Sequence, residues 1–234
     1  MVGLSERGEL RMIARRLGNK QSEGSGGIDA NTLLILHGED FTDSSLSPKT
    51  ITNSEAVLST NGKFNKCMDF TRSAAYLSFA QPAIYGATPF TIDWWEKWNG
   101  NTTAGPTMIL GTTVSSGVVL SIGTNDGTSW FFQAPGSTNT WNTASKTDIH
   151  PPTINTWGHR AVVRDGTSIK IYYNGILDVQ VSCASSIYAG NFTATIGRWR
   201  TYIIPLPMLI DEFRISNIAR WTANFTPPTA PYTK

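Results

Sequence analysis

The stretch from residue 157 to residue 182 constrains the fold more than any other part of the chain. Here Leu177, Val179 and Val181 alternate with polar residues at the period of two that a half-buried strand requires. The pair Asn174-Gly175 precedes this run, and it suits a two-residue hairpin turn in which both residues take positive φ. The pattern predicts an antiparallel meander with one face buried and the other exposed to water.

Other strand-like runs bounded by turn residues follow each other at short intervals from residue 31 onward. The clearest of them are 33–37, 90–95, 118–122, 130–133 and 161–163. Only 15% of the 234 residues are charged, against about 25% in an average soluble protein. Thr, Ser, Asn, Gly and aromatic residues take their place, which favours strands and turns. Many short strands joined by turns predict one sandwich or barrel rather than two small domains.

The first twenty residues follow a different pattern and carry a net charge of +3, whereas the rest of the chain carries −1. Apolar residues recur there at three- and four-residue steps, with arginines between them, which predicts an amphipathic helix over 1–20. The residues that define its two faces are Leu4, Leu10, Ile13 and Leu17, and Arg11 and Arg15. We expect a flexible Gly/Ser-rich linker over 21–30 and the β domain over 31–234.

Because so short a helix is marginal in water, we expect residues 1–20 to pack on a partner and to act as an anchor. A frayed tail that rests on its own domain is the alternative.

Several classes of protein are excluded by what the sequence lacks. It has no run of about 18 apolar residues that could span a membrane, and its first residues lack the apolar stretch of a secretory signal. The near-neutral body argues against nucleic-acid binding, which usually needs positive charge along a folded surface. Cys67 and Cys183 are too few for a disulfide framework or a zinc cluster, and whether they pair stays open.

Five motifs occur in a characteristic order, namely TPFTIDWW at 88–95, WGHRAVVR at 157–164, IYYNG at 171–175, ATIGR at 194–198 and IDEFRI at 210–215. Together they resemble the concanavalin A-like, laminin G-like jelly-roll family, roughly over residues 31–232. The resemblance implies an all-β, two-sheet antiparallel jelly-roll sandwich whose first strand lies beside its last. The N-terminal helix would then leave the domain near its C-terminal end.

The ending ARWTANFTPPTAP at 219–231 resembles the version of this domain that is common in tailed-phage structural proteins.

Some members of this wider fold are glucanases, and the resemblance raises the question of an active site. Those enzymes place three carboxylates at alternating positions of one strand. Asp93 and Glu96 superficially match the last two, but Thr91 stands where the nucleophile would be. Strict alternation also places Asp93 and Glu96 on opposite faces of the sheet. We therefore predict that the chain is not an enzyme.

Laminin G-like domains often bind Ca²⁺ at the rim of the sandwich, and the resemblance makes Asp40, Asp43 and Asp211 the candidate ligands for a structural calcium ion. The alternative is that Asp43 forms a side-chain-to-backbone turn with its own loop, while Asp211 pairs with Arg198 or Arg214. The sequence leaves both interpretations open.

Eight tryptophans are many for this length. We interpret Trp94, Trp157 and Trp221 as packing residues, and a buried Glu96 would need a partner. A second group lies in or beside predicted loops and consists of Trp130, Trp141, Trp199, Arg200 and Tyr202. Rings beside amides and a guanidinium suit a sugar, and they equally suit a protein interface.

These features favour a non-enzymatic virion structural protein of a tailed phage, made in the host cytoplasm. It would be a capsid decoration, tail or baseplate component that binds other virion proteins through residues 1–20, and a homo-oligomer is compatible with this role. The alternative is a carbohydrate-binding adhesion module that recognises host or environmental glycans. The sequence does not distinguish a head location from a tail location.

Overall fold

The computed structural model describes residues 27–84, 86–100, 107–114, 117–125, 129–133, 153–183, 193–198 and 207–234; between 107 and 133 it describes the backbone and the Ile122 side chain. Fourteen strands in these ranges form two antiparallel sheets. The expected all-β jelly-roll sandwich is confirmed. The predicted anchor residues between Leu4 and Leu17 lie outside the described residues.

The large sheet has eight strands in the order β12-β11-β10-β6-β14-β4-β3, with β1 also paired to β14. Its strands are β1 (Thr32–Leu36), β3 (Val57–Ser59), β4 (Cys67–Asp69), β6 (Phe90–Trp98), β10 (Gly158–Arg164), β11 (Ser168–Tyr173), β12 (Ile176–Ser182) and β14 (Met208–Ser216).

The small sheet has six strands in the order β2-β5-β13-β7-β8-β9. Its strands are β2 (Thr52–Ser54), β5 (Tyr76–Ala80), β7 (Thr107–Val114), β8 (Gly117–Asn125), β9 (Ser129–Gln133) and β13 (Thr193–Ile196).

The main core lies between the two sheets and is built by alternation along the strands. Phe90, Ile92 and Trp94 of β6 face it from the large sheet, and Leu77 and Phe79 of β5 face it from the small sheet. Each such side chain contributes about 1.5–3 kcal/mol when it leaves water. The packing role expected for Trp94 is confirmed.

The predicted meander is present in β10, β11 and β12. Asn174 and Gly175 have φ values of 49° and 78°, so the hairpin has the expected positive-φ turn. The prediction fails at Leu177, which is 39% exposed. The register shifts between β11 and β12, where Leu177 pairs with Tyr172 and Val179 with Ile171. Asp178 is the extra residue, and this bulge removes Leu177 from the buried face.

The first and last strands pair, as the resemblance implies. β1 runs antiparallel to β14, and Gly27 forms a parallel bridge with Thr233. Ile28 is buried, and its N–H donates to the Thr233 carbonyl over 2.7 Å. Residues 27–30, predicted as the end of the linker, therefore belong to the sandwich, and the chain enters it beside its C-terminal end.

The C-terminal segment 217–234, which we call the strap, covers the outer face of the large sheet. Trp221 and Phe225 stack with ring centroids 4.0 Å apart and planes 7° from parallel. They pack on Ala161, Val163 and Tyr172 and form a second, smaller core. The packing role of Trp221 is confirmed, whereas Trp157 is half-buried.

Cys67 and Cys183 are both buried and free, so the open question of their pairing is answered by two reduced thiols. Within the ranges given above, the structure has no helix with the length and apolar character needed to cross a membrane.

Candidate functional site

Asp93 in β6 points to the outer face of the large sheet and is completely buried. Arg214 of β14 donates from Nε to Asp93 Oδ1 over 3.0 Å and from Nη2 to Oδ2 over 3.3 Å. Tyr232 of the strap donates its hydroxyl to Asp93 Oδ2. The Arg214 Cζ atom also lies 3.7 Å from the centroid of the Tyr232 ring. One carboxylate therefore ties the strap to the sheet.

The surroundings of Asp93 keep it ionised. Burial alone would raise its pKa, but the charge of Arg214 and the neighbouring His159 and Tyr232 lower that pKa to about 2. His159 Nε2 lies 3.5 Å from Asp93 Oδ2, yet burial lowers the pKa of His159, so its imidazole is neutral at neutral pH. A carboxylate held in this way is an acceptor in a structural network and not a proton donor.

Glu96 occupies the opposite face of β6 and finds the partner it needs. Arg160 Nη2 donates to Glu96 Oε1 over 3.0 Å, and Trp94 Nε1 donates to Oε2 over 2.9 Å. Glycoside hydrolysis needs two carboxyl groups on either side of one substrate bond. Asp93 and Glu96 are separated by their own sheet and each is held in an ion pair, so they do not form such a site.

The expected calcium ligands do not come together. Asp43 accepts hydrogen bonds from three backbone N–H groups and from the Ser45 hydroxyl, which confirms the alternative that it stabilises its own loop. Asp40 accepts from the N–H and hydroxyl of Thr42. In the part of the chain that the structure describes, no three His, Cys, Asp or Glu residues are grouped to hold a metal ion. Local donors thus engage both oxygens of Asp43 and one oxygen each of Asp40 and Asp211, and a calcium ion at these residues stays a prediction.

The expected pairing of Asp211 with an arginine is also wrong. Arg214 points to Asp93 because the register of β14 shifts between Asp211 and Arg214, and the Arg198 guanidinium lies over the Tyr76 ring. Such a bulge re-aims the side chains that follow it.

Asp211 instead accepts from the backbone N–H groups of Lys63 over 2.8 Å and Phe64 over 3.2 Å. Burial, together with the charge of the adjacent Glu212, raises the pKa of Asp211 to about 7, against the effect of these N–H groups. His37 Nδ1 lies 2.9 Å from Glu212 Oε1, and this contact raises the pKa of His37 despite its partial burial. Next to the β14 bulge, Asp211 therefore titrates near pH 7, and the pKa of His37 lies above its ordinary value.

One end of the sandwich is formed where β6 ends and β14 begins. β6 ends there at Trp98, where Asn155 N–H donates to the Trp98 carbonyl over 2.7 Å. Asn99 N–H donates to the Pro207 carbonyl over 2.8 Å, just before β14 begins. In the small sheet, β7 begins and β13 ends on this side. We call this part of the molecule the Trp98 end.

The backbone of one predicted binding residue, Trp130, is described at this end. Trp130 lies in β9, and its backbone pairs with Thr124 opposite the start of β7. Three more residues follow Arg198 directly, and one precedes β10. These four are Trp199, Arg200, Tyr202 and Trp141, and they lie outside the described residues, as does the side chain of Trp130.

Described side chains at the Trp98 end add polar and apolar surface. The Arg198 Cζ atom lies 4.7 Å from the centroid of the Tyr76 ring. Ile154 and Ile176 are 45% and 59% exposed. No local sequence pattern marks Tyr76 as part of this surface, because only the register of β5 against β13 brings it to Arg198.

A family profile described as "Concanavalin A-like lectin/glucanases superfamily", of the laminin G-like type, matches residues 71–224. Comparison with curated protein sequences gives no match. Among solved structures, the binding domain of Paraclostridial Mosquitocidal Protein 1 superposes with a TM-score of 0.64 at 15% identity, covering 81% of this chain and 49% of that one. The receptor binding domain of botulinum neurotoxin D gives a TM-score of 0.63 at 15% identity, covering 81% of this chain and 50% of that one.

A further match is the ligand binding domain of botulinum neurotoxin serotype D in complex with N-acetylneuraminic acid. Its TM-score is 0.60 at 16% identity, with 81% of this chain and 48% of that chain covered. The chain thus spans about half the length of these structures, and at such identity the likeness concerns the fold.

Proposed function

Because the chain belongs to the laminin G-like family of the concanavalin A-like lectin/glucanase superfamily, we propose that it is a non-enzymatic carbohydrate-binding module. Its glycan site lies at the Trp98 end. The observation that carries the proposal is that β13 ends there, just before Arg198, Trp199, Arg200 and Tyr202 in the chain, and that β10, which follows Trp141 in the chain, begins there. Aromatic rings bind the apolar faces of sugars, while amides and guanidinium groups bind hydroxyls.

Two further points support binding over catalysis. The buried carboxylates of β6 are each held in an ion pair, on opposite faces of the sheet. The solved structures of similar fold are named as binding domains of a mosquitocidal protein and of botulinum neurotoxins, and one of them is in complex with N-acetylneuraminic acid. Transfer of glycan binding to this chain is part of the proposal.

Glycan-array binding of the whole protein tests the site. We expect Trp141→Ala and Trp199→Ala to abolish binding, since stacking of one ring contributes a large share of the affinity for a sugar. Leu46→Ala, which trims an exposed apolar side chain in the β1–β2 connection, is the control and should bind as the parent does. Absence of binding to any glycan by the folded parent protein would reject the proposed function.

A second proposal concerns where the module works. We propose that it is a structural component of a tailed-phage virion, attached through residues 1–20 to another virion protein. The chain enters the sandwich at Gly27 beside Thr233, on the outer face of the large sheet and not at the Trp98 end. An anchor that precedes Gly27 leaves the glycan site accessible. The resemblance of 219–231 to the ending of phage structural proteins supports the same role.

Incorporation into particles tests the attachment. A chain that lacks residues 1–26 keeps every described contact and should remain folded but be absent from purified virions. A full-length Leu10→Asp/Ile13→Asp variant disrupts only the apolar stripe of the predicted helix and should behave in the same way. Normal incorporation of both variants would reject the anchor.

A further inference from the structure

Arg198 stands at the Trp98 end with an unusual set of contacts. Its Cζ atom lies 4.7 Å from the Tyr76 ring centroid, a cation–π arrangement that holds the guanidinium plane in place. Its Nε atom is buried without a hydrogen-bond partner. Within the described part of the chain, the guanidinium has no hydrogen bond or ion pair besides this ring contact.

The backbone fixes this position. Gly197 has a φ of +87°, and a Cβ atom there would lie 2.8 Å from the Ala75 carbonyl oxygen and 2.9 Å from the Phe70 ring. Only glycine fits both the conformation and the space. The Gly197 backbone therefore lies directly beside Phe70 and Ala75, which flank the turn that joins β4 to β5.

That turn, which directly precedes Tyr76, carries a second arginine and two hydroxyl side chains. Thr71, Arg72 and Ser73 are all exposed. The Arg72 carbonyl accepts from Ala75 N–H over 3.2 Å, which orders the turn. We call Arg72, Tyr76 and Arg198 the arginine corner.

The carboxylates on the neighbouring elements do not neutralise the corner. Asp69 in β4 accepts from the N–H and hydroxyl of Thr71 over 2.8 Å and 2.6 Å, so its Oδ1 atom serves its own turn. Glu55, exposed in the β2–β3 turn, forms no ion pair among the described residues. Because its Nε atom is buried, the Arg198 guanidinium would meet a carboxylate through its two Nη groups, whose parallel N–H···O bonds fit the two carboxylate oxygens.

We infer that the arginine corner is a subsite for the carboxylate of an acidic sugar, such as a sialic or uronic acid, with Arg198 as the specificity-determining residue. The inference rests on the proposed glycan-binding function and narrows it to one ligand class. The exposed hydroxyl of Ser73 would contact polar groups of the same sugar.

An array of paired glycans tests the inference with the full chain. Each sialylated or uronic-acid glycan is printed beside its neutral counterpart and a sulfated one, and the best pair is then measured by calorimetry. We expect the carboxylated member to bind at least about tenfold more tightly than the neutral one. Arg198→Gln should remove this preference and leave the weaker neutral binding, and Arg198→Lys should restore it only in part, since lysine lacks the planar fork.

The control is Lys66→Gln, which removes one positive charge from the exposed loop before β4. It should keep the preference, and thermal unfolding of each variant verifies the fold. Equal binding of carboxylated and neutral glycans, or an Arg198→Gln variant that keeps the preference, overturns the inference while glycan binding stands. A preference for the sulfated glycan overturns the carboxylate assignment. Binding to no glycan overturns the proposed function itself.

Discussion

Asp93 is the residue on which the contacts of the outer face converge. Its partners Arg214 and Tyr232 lie 121 and 139 positions away in the sequence. The motif around Asp93 could be recognised from the sequence, and so could its face of the strand, because alternation is a local property. Its partners could not, since a one-residue bulge in β14 decides which side chain meets it.

Removal of the Asp93 charge should therefore be costly. We expect Asp93→Asn to lower the free energy of unfolding by about 3–5 kcal/mol, because Arg214 is left as an uncompensated buried charge. Tyr232→Phe should cost less, about 1.5–3 kcal/mol, since it removes one hydrogen bond to a charged group. Urea unfolding followed by tryptophan fluorescence measures both. An equal or larger loss for Tyr232→Phe would contradict this account.

Asp211 should make stability depend on pH in the opposite sense from an ordinary ion-paired carboxylate. Its pKa in the folded protein, about 7, lies above its ordinary value of 3.8, so the folded state binds the proton more tightly. This stabilisation is complete below about pH 4 and is lost as the pH rises through 7. We expect Asp211→Asn to match the parent near pH 4 and to exceed it at pH 8 by up to about 4 kcal/mol.

The measurement is a series of urea transitions from pH 4 to pH 8, taken as the difference between variant and parent. His159 works in the reverse direction, because burial lowers its pKa, but it is present in both proteins and cancels. The His37→Gln variant isolates the contribution of His37 to the free energy of unfolding. Because the pKa of His37 is raised in the folded protein, this contribution is present below about pH 6.5 and is lost as the pH rises above it. Parallel stability curves for Asp211→Asn and the parent would rule out titration of this carboxyl group.

At the scale of elements, the hairpin between β11 and β12 shows what the sequence can reveal and where it stops. Asn174-Gly175 predicts the turn because both residues need positive φ, and this is a property of two adjacent residues. The strap that packs on the turn was not predicted, because its aromatic residues carry no local period. Phe225 N–H donates to the Gly175 carbonyl over 2.9 Å, so turn and strap form one unit.

Gly175 tests that unit against a matched control. A Cβ atom at Gly175 would lie 1.8 Å from the Phe225 carbonyl oxygen, whereas at Gly166, which also has positive φ, it would meet nothing within 4 Å. Alanine strains the backbone at both positions, but only Gly175→Ala must also displace the strap. We expect Gly175→Ala to cost about 1–3 kcal/mol more than Gly166→Ala in urea unfolding, and to expose the strap to proteolysis. Equal losses of unfolding free energy in the two variants would mean that displacement of the strap does not destabilise the protein.

At the scale of the molecule, the sequence was sufficient to predict the family, the two-sheet sandwich and the pairing of the first and last strands. These follow from many short local patterns that agree with one another. The candidate site could be predicted from the sequence only in part. The loop residues were identified by composition, but the arginine corner depends on the register of β5 against β13 and on the turn beside it, which no local pattern encodes.

Two truncations locate the N-terminal boundary of the sandwich. Deletion of residues 1–26 should leave the free energy of unfolding unchanged, because the contacts of Gly27 and Ile28 remain. Deletion of residues 1–28 should lower it by about 2–3 kcal/mol, since it removes a buried isoleucine and the bridge to Thr233. Equal stability of the two truncated chains would place the boundary further along the sequence.

The parallel bridge between Gly27 and Thr233 brings the two ends of the sandwich side by side. Adjacent ends are the geometry that allows a domain to be inserted into a loop of another protein, or to be circularly permuted, with little distortion of either part. A few residues would suffice to join Gly27 to the end of the strap and to open the chain elsewhere. The sandwich can thus be inserted into another protein at a single site.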